Sequence, residues 1–104
     1  KQRAAEAARS YRQTPRGRAI HQASNALRRA RVRGAEGHCS TEQLQARVDY
    51  YGGMCSYCQS APFEHIDHAI PVARGGSNWP SNLRPSCGDC NLRKWTKTAM
   101  EFLP

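Results

Sequence analysis

Cys55 and Cys58, then Cys87 and Cys90, form two Cys-x-x-Cys pairs on either side of an Asp67-His68 dipeptide. Each pair offers two thiolates at the spacing of a zinc knuckle, so the four sulfurs together can close a tetrahedral structural Zn²⁺ site. Such a site would hold both ends of a short segment that carries His, Asp and Asn, the residue types hydrolysis needs. An imidazole with a reference pKa of about 6.5 is largely neutral near pH 7 and can take a proton from water. A carboxylate beside it can hold a hard divalent ion. Disulfides are the other use of four cysteines, but two knuckles in a chain with no visible secretory segment favour zinc. Cys39 has no sequence-near partner and reads as a small, half-buried apolar residue.

These residues need elements to position them. With 104 residues and 38% hydrophobic content, the chain is expected to form one small domain whose thin core needs a staple. No apolar run approaches membrane-spanning length, so a soluble, cytoplasmic protein is expected, with no membrane partner. The sequence begins at Lys1, as an excised fragment would. Residues 1–13 are rich in Ala, Arg and Glu and suit a helix that buries little. Thr14-Pro15 looks like an N-cap followed by Pro at the first helical position. Beyond it Ile20, Ala23, Leu27 and Ala30 draw one apolar stripe on a helix of about 15–33, with Gly34 as its stop. Ser40-Thr41-Glu42-Gln43 is a capping-box pattern opening a second helix, with Leu44, Val48 and Tyr51 on its apolar face and Gly52-Gly53 at its end. Residues 63–72 suit a short strand, 74–78 a loop, and Asn82 to Pro85 a return strand kept at an edge by Pro85. A third helix follows Cys87, and the tail with Trp95, Met100, Phe102 and Leu103 is expected to cover apolar surface.

The net charge of +8 is concentrated. Residues 1–37 hold ten Lys or Arg against Glu6 and Glu36, whereas residues 38–104 are balanced. Nine of the ten are Arg, the side chain best suited to bidentate phosphate contact. A nucleic acid is the favoured partner, and a solvated tail is the alternative. The expected organisation is a basic helical arm over 1–37 and a catalytic domain over 38–104.

Three strings then complete a pattern: Asp67-His68-Ala69-Ile70-Pro71, Gly75-Gly76-Ser77-Asn78 and Asn82-Leu83-Arg84-Pro85, all between Cys55-Ser56-Tyr57-Cys58 and Cys87-Gly88-Asp89-Cys90-Asn91. This order resembles the HNH endonucleases, the zinc-stapled ββα-metal nucleases, and Arg31 to Tyr57 resembles the lead-in of short stand-alone members from phages and bacteria. The resemblance implies an α+β fold, a hairpin followed by one helix, with metal and substrate between them. It implies His68 as general base, Asp67 and Asn91 as ligands of a catalytic Mg²⁺ or Mn²⁺, and Asn82 as a brace that orients His68. Duplex DNA is the implied substrate, nicked by a monomer or cut through by a dimer, in a bacterial or phage-infected cell. Neighbouring strand residues point to opposite faces, so either the backbone bends there or Asp67 and His68 approach the phosphate from either side; the resemblance implies the latter.

The other candidates carry weaker patterns. Arg28, Arg29, Arg31 and Arg33 on the arm, with Arg74, Arg84, Arg93, Lys94 and Lys97 near the site, are candidate phosphate contacts. His65 reads as structural, and His21 and His38 as surface residues. Tyr57 and Trp79 read as core, and Asn91 has a helix-cap role as its alternative. The competing function is a zinc-stapled DNA-binding module without catalysis.

Overall fold

Thr14 caps the first helix as expected: its Oγ1 accepts the Gly17 N–H at 3.0 Å, and Pro15 takes the first helical position. There the missing N–H leaves no bond unmade. This computed structural model describes residues 14–104, so the helix expected over 1–13 lies outside the described residues. Helix α1 runs Pro15–Val32 and buries Ile20, Ala23, Leu27 and Ala30, the stripe its periodicity draws. Helix α2, Thr41–Tyr50, opens on the full capping box: Ser40 Oγ accepts from Gln43 N at 3.1 Å, and Gln43 Oε1 accepts from Ser40 N at 2.8 Å. Leu44 and Val48 then face the core from α2, each fully buried.

Strands β1, His65–His68, and β2, Leu83–Ser86, pair antiparallel with His65 opposite Ser86 and His68 opposite Leu83. Pro85 lies opposite Ile66 in this two-stranded sheet. Both strands are edges, so a residue without an N–H is tolerated. Between them the chain makes two short 3-10 turns, Val72–Arg74 and Pro80–Asn82. Gly76 sits where this connection folds on itself: a Cβ there would stand 1.6 Å from the Ile70 carbonyl oxygen. Helix α3, Gly88–Lys94, starts on Cys87 and stops at Trp95, whose φ of +46° is incompatible with another turn. Helix α4, Ala99–Phe102, has its own capping box between Thr98 and Glu101.

One cluster joins these pieces. Ile20, Ala23 and Leu27 of α1 meet Leu44, Val48, Phe63 and Leu83, with Cys39 and Ile66 packed against them. Arg47 fastens α2 to β2 by donating from Nε and a terminal nitrogen to the Leu83 carbonyl, at 3.0 and 2.8 Å. An ion pair between Arg16 and Asp49 fastens the start of α1 to the end of α2. The α+β architecture and the half-buried Cys39 therefore match expectation.

Helix α1 supplies one wall of the main cluster. Two expectations need correction. Trp95 and Met100 are 81% and 89% exposed, so α3 and α4 bury Lys94, Ala99 and part of Phe102 instead. Trp79 is 52% exposed, because its ring lies across the backbone of Gly37 rather than inside the cluster. Among the described residues no helix is long and apolar enough to cross a membrane.

Leu44 joins both helices to β2, so Leu44→Ala should lower unfolding free energy by about 2–5 kcal/mol. Urea unfolding checks this, with the transition moving to lower denaturant at an unchanged slope.

Candidate metal centres and active site

The four cysteine sulfurs lie within 4.8 Å of one another, and Cys58 Sγ is 3.9 Å from Cys87 Sγ. Tetrahedral zinc with bonds of about 2.3 Å places its sulfurs about 3.8 Å apart, whereas a disulfide requires about 2.05 Å. None of the five cysteines is in a disulfide. The donor set therefore fits zinc. Local backbone supports it: Cys87 is the N-cap of α3, its sulfur accepting from Cys90 N at 3.4 Å, while Cys58 Sγ accepts from Ser60 N at 3.5 Å. Burial acts to raise the Cys55 thiol. The N–H groups of Cys58, Cys87 and Tyr57 aimed at that sulfur outweigh it and bring it down to about 6. A thiolate is the form a metal needs; burial, then the neighbouring sulfurs, pushes the Cys90 thiol the other way, so a metal binding there must displace its proton. Tyr57, Ala61 and Phe102 pack around the cluster, Phe102 edge-on to Tyr57 with ring centroids 5.5 Å apart.

Asp67 is held on the side of the sheet that faces α3. Its Oδ2 accepts from the Tyr57 hydroxyl at 2.6 Å and lies 3.0 Å from Lys94 Nζ. The same ammonium donates to the His68 carbonyl at 3.0 Å, and Lys94 is wholly buried. Burial first, then the bond to Asp67, pushes the Tyr57 hydroxyl up, so it remains a donor. Lys94 was expected to meet phosphate, and that expectation is corrected: a buried ammonium joined to Asp67 cannot reach a backbone outside. Tyr57, expected as plain core, is a partner of the central carboxylate.

His68 is held from the other side. Its Nε2 is 2.8 Å from Asn78 Oδ1, and Asn78 Nδ2 donates to the Leu27 carbonyl of α1 at 2.8 Å. A carbonyl can only accept, so the Asn78 amide nitrogen must face Leu27 and its oxygen must face the imidazole. Neutral His68 then carries its proton on Nε2 and presents Nδ1 as the free lone pair. Asn78 is 1% exposed and its own N–H donates to the Glu36 carbonyl at 2.6 Å. Asn82 braces the loop rather than touching the imidazole. Its Oδ1 accepts from Ile70 N at 2.8 Å, and its Nδ2 donates to the carbonyls of Ile70 and Ser77 at 3.1 and 2.9 Å. The direct contact to His68 belongs to Asn78, which stands in the quoted Gly-Gly-Ser-Asn string but had no role assigned from sequence.

Asn91 lies inside α3, one turn before Lys94, and the N-cap is Cys87, so a capping role is excluded. Residues three apart share a helix face, and Lys94 reaches Asp67, so Asn91 faces the same strand. Tyr57 and Lys94 both engage Asp67 Oδ2 and leave its second carboxylate oxygen, a hard donor of the kind a divalent ion takes. His65 is exposed at the start of β1.

The candidate cations divide into groups. Arg84 donates to Ser56 Oγ at 2.9 Å and to the Ser56 carbonyl at 3.1 Å, and its guanidinium lies 4.6 Å from the Tyr57 ring centroid. It is a brace for the knuckle. Arg74 pairs with Glu101 at 2.5 Å, a bond that, with the Thr98 N–H, lowers the Glu101 carboxyl to about 2. Arg93 lies 3.5 Å from Asp89. Arg28, Arg29, Arg31 and Arg33 are exposed, without an ion pair among the described residues.

A family model described as HNH endonuclease matches residues 55–97, the span from the first knuckle to the end of α3 and its following turn. No curated protein and no solved structure matches the chain.

Lys94 offers a direct check on this geometry. Lys94→Met leaves the Asp67 carboxylate without its cation and should cost about 3–5 kcal/mol of stability. Adding Asp67→Asn to that variant should return a substantial part, as thermal unfolding of the two variants will read.

Proposed function

Residues 55–97 belong to the HNH endonuclease family, and from that premise we propose that the chain is a metal-dependent DNA endonuclease hydrolysing phosphodiester bonds. The observation that carries it is the opposed anchoring of two neighbours: Asp67 by Lys94 and Tyr57, His68 by Asn78. Opposite-facing strand residues meet one phosphate only if it lies at the strand end between them. β1 ends at His68, and the chain turns away immediately.

In this scheme His68 Nδ1 removes the proton of the attacking water, and Asn78 holds the ring with Nε2–H engaged. Asp67 and Asn91 would hold the divalent ion, Mg²⁺ or Mn²⁺, which when bound would supply Lewis-acid stabilisation of the charge that develops on the phosphate. Lys94 keeps the Asp67 side chain in one orientation and ties it to the His68 carbonyl. Asn82 keeps the loop that carries Asn78 in place. Zinc at Cys55, Cys58, Cys87 and Cys90 is structural. The arginines of α1, Arg28, Arg29, Arg31 and Arg33, meet duplex phosphates, together with the exposed Arg93. Each site cuts one strand, so a monomer nicks and a weak dimer would cut both strands. The bacterial or phage-infected cytoplasm is the proposed compartment.

Supercoiled plasmid incubated with Mg²⁺ or Mn²⁺ tests this. Nicked circles should form, and His68→Ala should slow them by about 10²–10⁴-fold, the contribution of a positioned general base. Nicking at an undiminished rate would remove His68 from that role. Duplex binding with no nicking under either metal would make the chain a zinc-stapled binding module instead.

A further inference from the structure

Asn78 has a second face. Beside its bond to His68, it lines a cavity of about 180 Å³ closed by Leu27, Arg28 and Arg31 of α1 and by His38 and Thr41 across from them. Leu27, Arg28 and Arg31 lie at helical spacings of one, three and four, so one side of α1 is presented to this space. Among the described residues no Asp or Glu lines it. That distinguishes it from the cavity on the other side of α1, where Arg29 stands with Glu64 and His65. The α1 arginines are thus not one patch. Arg28 and Arg31 share the first recess, whereas Arg29 lines the second, which includes Glu64.

We propose that this recess is a subsite for one backbone phosphate of the bound strand, a phosphate other than the one cut. Arg28 and Arg31 hold it together, with His38 and the Thr41 hydroxyl as further donors. The recess has room for a tetrahedral phosphate group with water beside it. Two guanidinium groups meeting one oxyanion give the strongest of the charge-assisted bonds. The subsite rests on the nucleic-acid function proposed above and deepens it. Because Asn78 is both its wall and the anchor of His68, one buried side chain sets the spacing between the held phosphate and the imidazole. The recess therefore fixes which neighbouring phosphate reaches His68.

The test is duplex binding by the full chain without added divalent ion, measured by fluorescence anisotropy across a salt series. Each phosphate neutralised contributes a slope of about 0.9 in log affinity against log salt. Arg28→Gln/Arg31→Gln together should therefore flatten the slope by about 0.9, one contact rather than two. Single methylphosphonate replacements along the duplex should then reveal one position that weakens the unmodified chain and leaves the double variant unaffected. An unchanged slope, a loss of about 1.8, or no such position would overturn the shared subsite. Inorganic phosphate provides the other arm: if it fills the recess, shifting the His38 and Thr41 amide resonances, without displacing duplex, the site is for free phosphate and the proposal fails. A chain that binds no duplex sinks the nuclease function as well, whereas binding with an unaltered slope sinks this subsite alone.

Discussion

Four sulfurs within 4.8 Å of one another draw together two points 29 residues apart, Cys58 and Cys87. The rest of the site hangs on that closure. Cys87 is at once a sulfur donor and the N-cap of α3, so fixing its position fixes the helix that carries Asn91 and Lys94. Cys55 precedes Ser56 and Tyr57, whose side chains hold Arg84 and Asp67. A sheet of two four-residue strands would be marginal in water without such an anchor.

The buried ammonium of Lys94 is the second constraint. A cation taken fully from water requires a partner and satisfied donors. Lys94 has the Asp67 carboxylate and the His68 carbonyl, each at 3.0 Å. It thereby ties the strand end to the helix at Asp67 and His68. His68 is tied in the opposite direction, through Asn78 to the middle of α1. The hairpin end is thus gripped between the helix that starts on Cys87 and the arginine helix. This makes α1 part of the site's frame as well as a carrier of charge.

What the sequence discloses follows physical range. Helix starts were legible because caps are local: Thr14, Ser40 and Gln43 act within three residues of themselves. The cysteine spacing and the return strand were legible for the same reason, since each is a pattern of near neighbours. Thr98 and Glu101 carry the same local signal, and their capping box could have been read with equal ease. Asn78 and Lys94 could not, because their partners stand 51 and 27 positions away, at Leu27 and Asp67. A lysine near an active site reads as a phosphate contact until its burial is known. Trp79, Trp95 and Met100 show the converse: apolar residues in a small domain have too little interior to enter.

Metal content together with chelation tests the central claim most directly. Purified chain should carry about one tightly held zinc, as a four-cysteine structural site binds. Stripping it should collapse the dispersed amide spectrum of β1, β2 and α3, with zinc restoring it. A metal-free chain whose spectrum keeps that dispersion would contradict the account, because the frame around Asp67 and His68 would then stand without its staple.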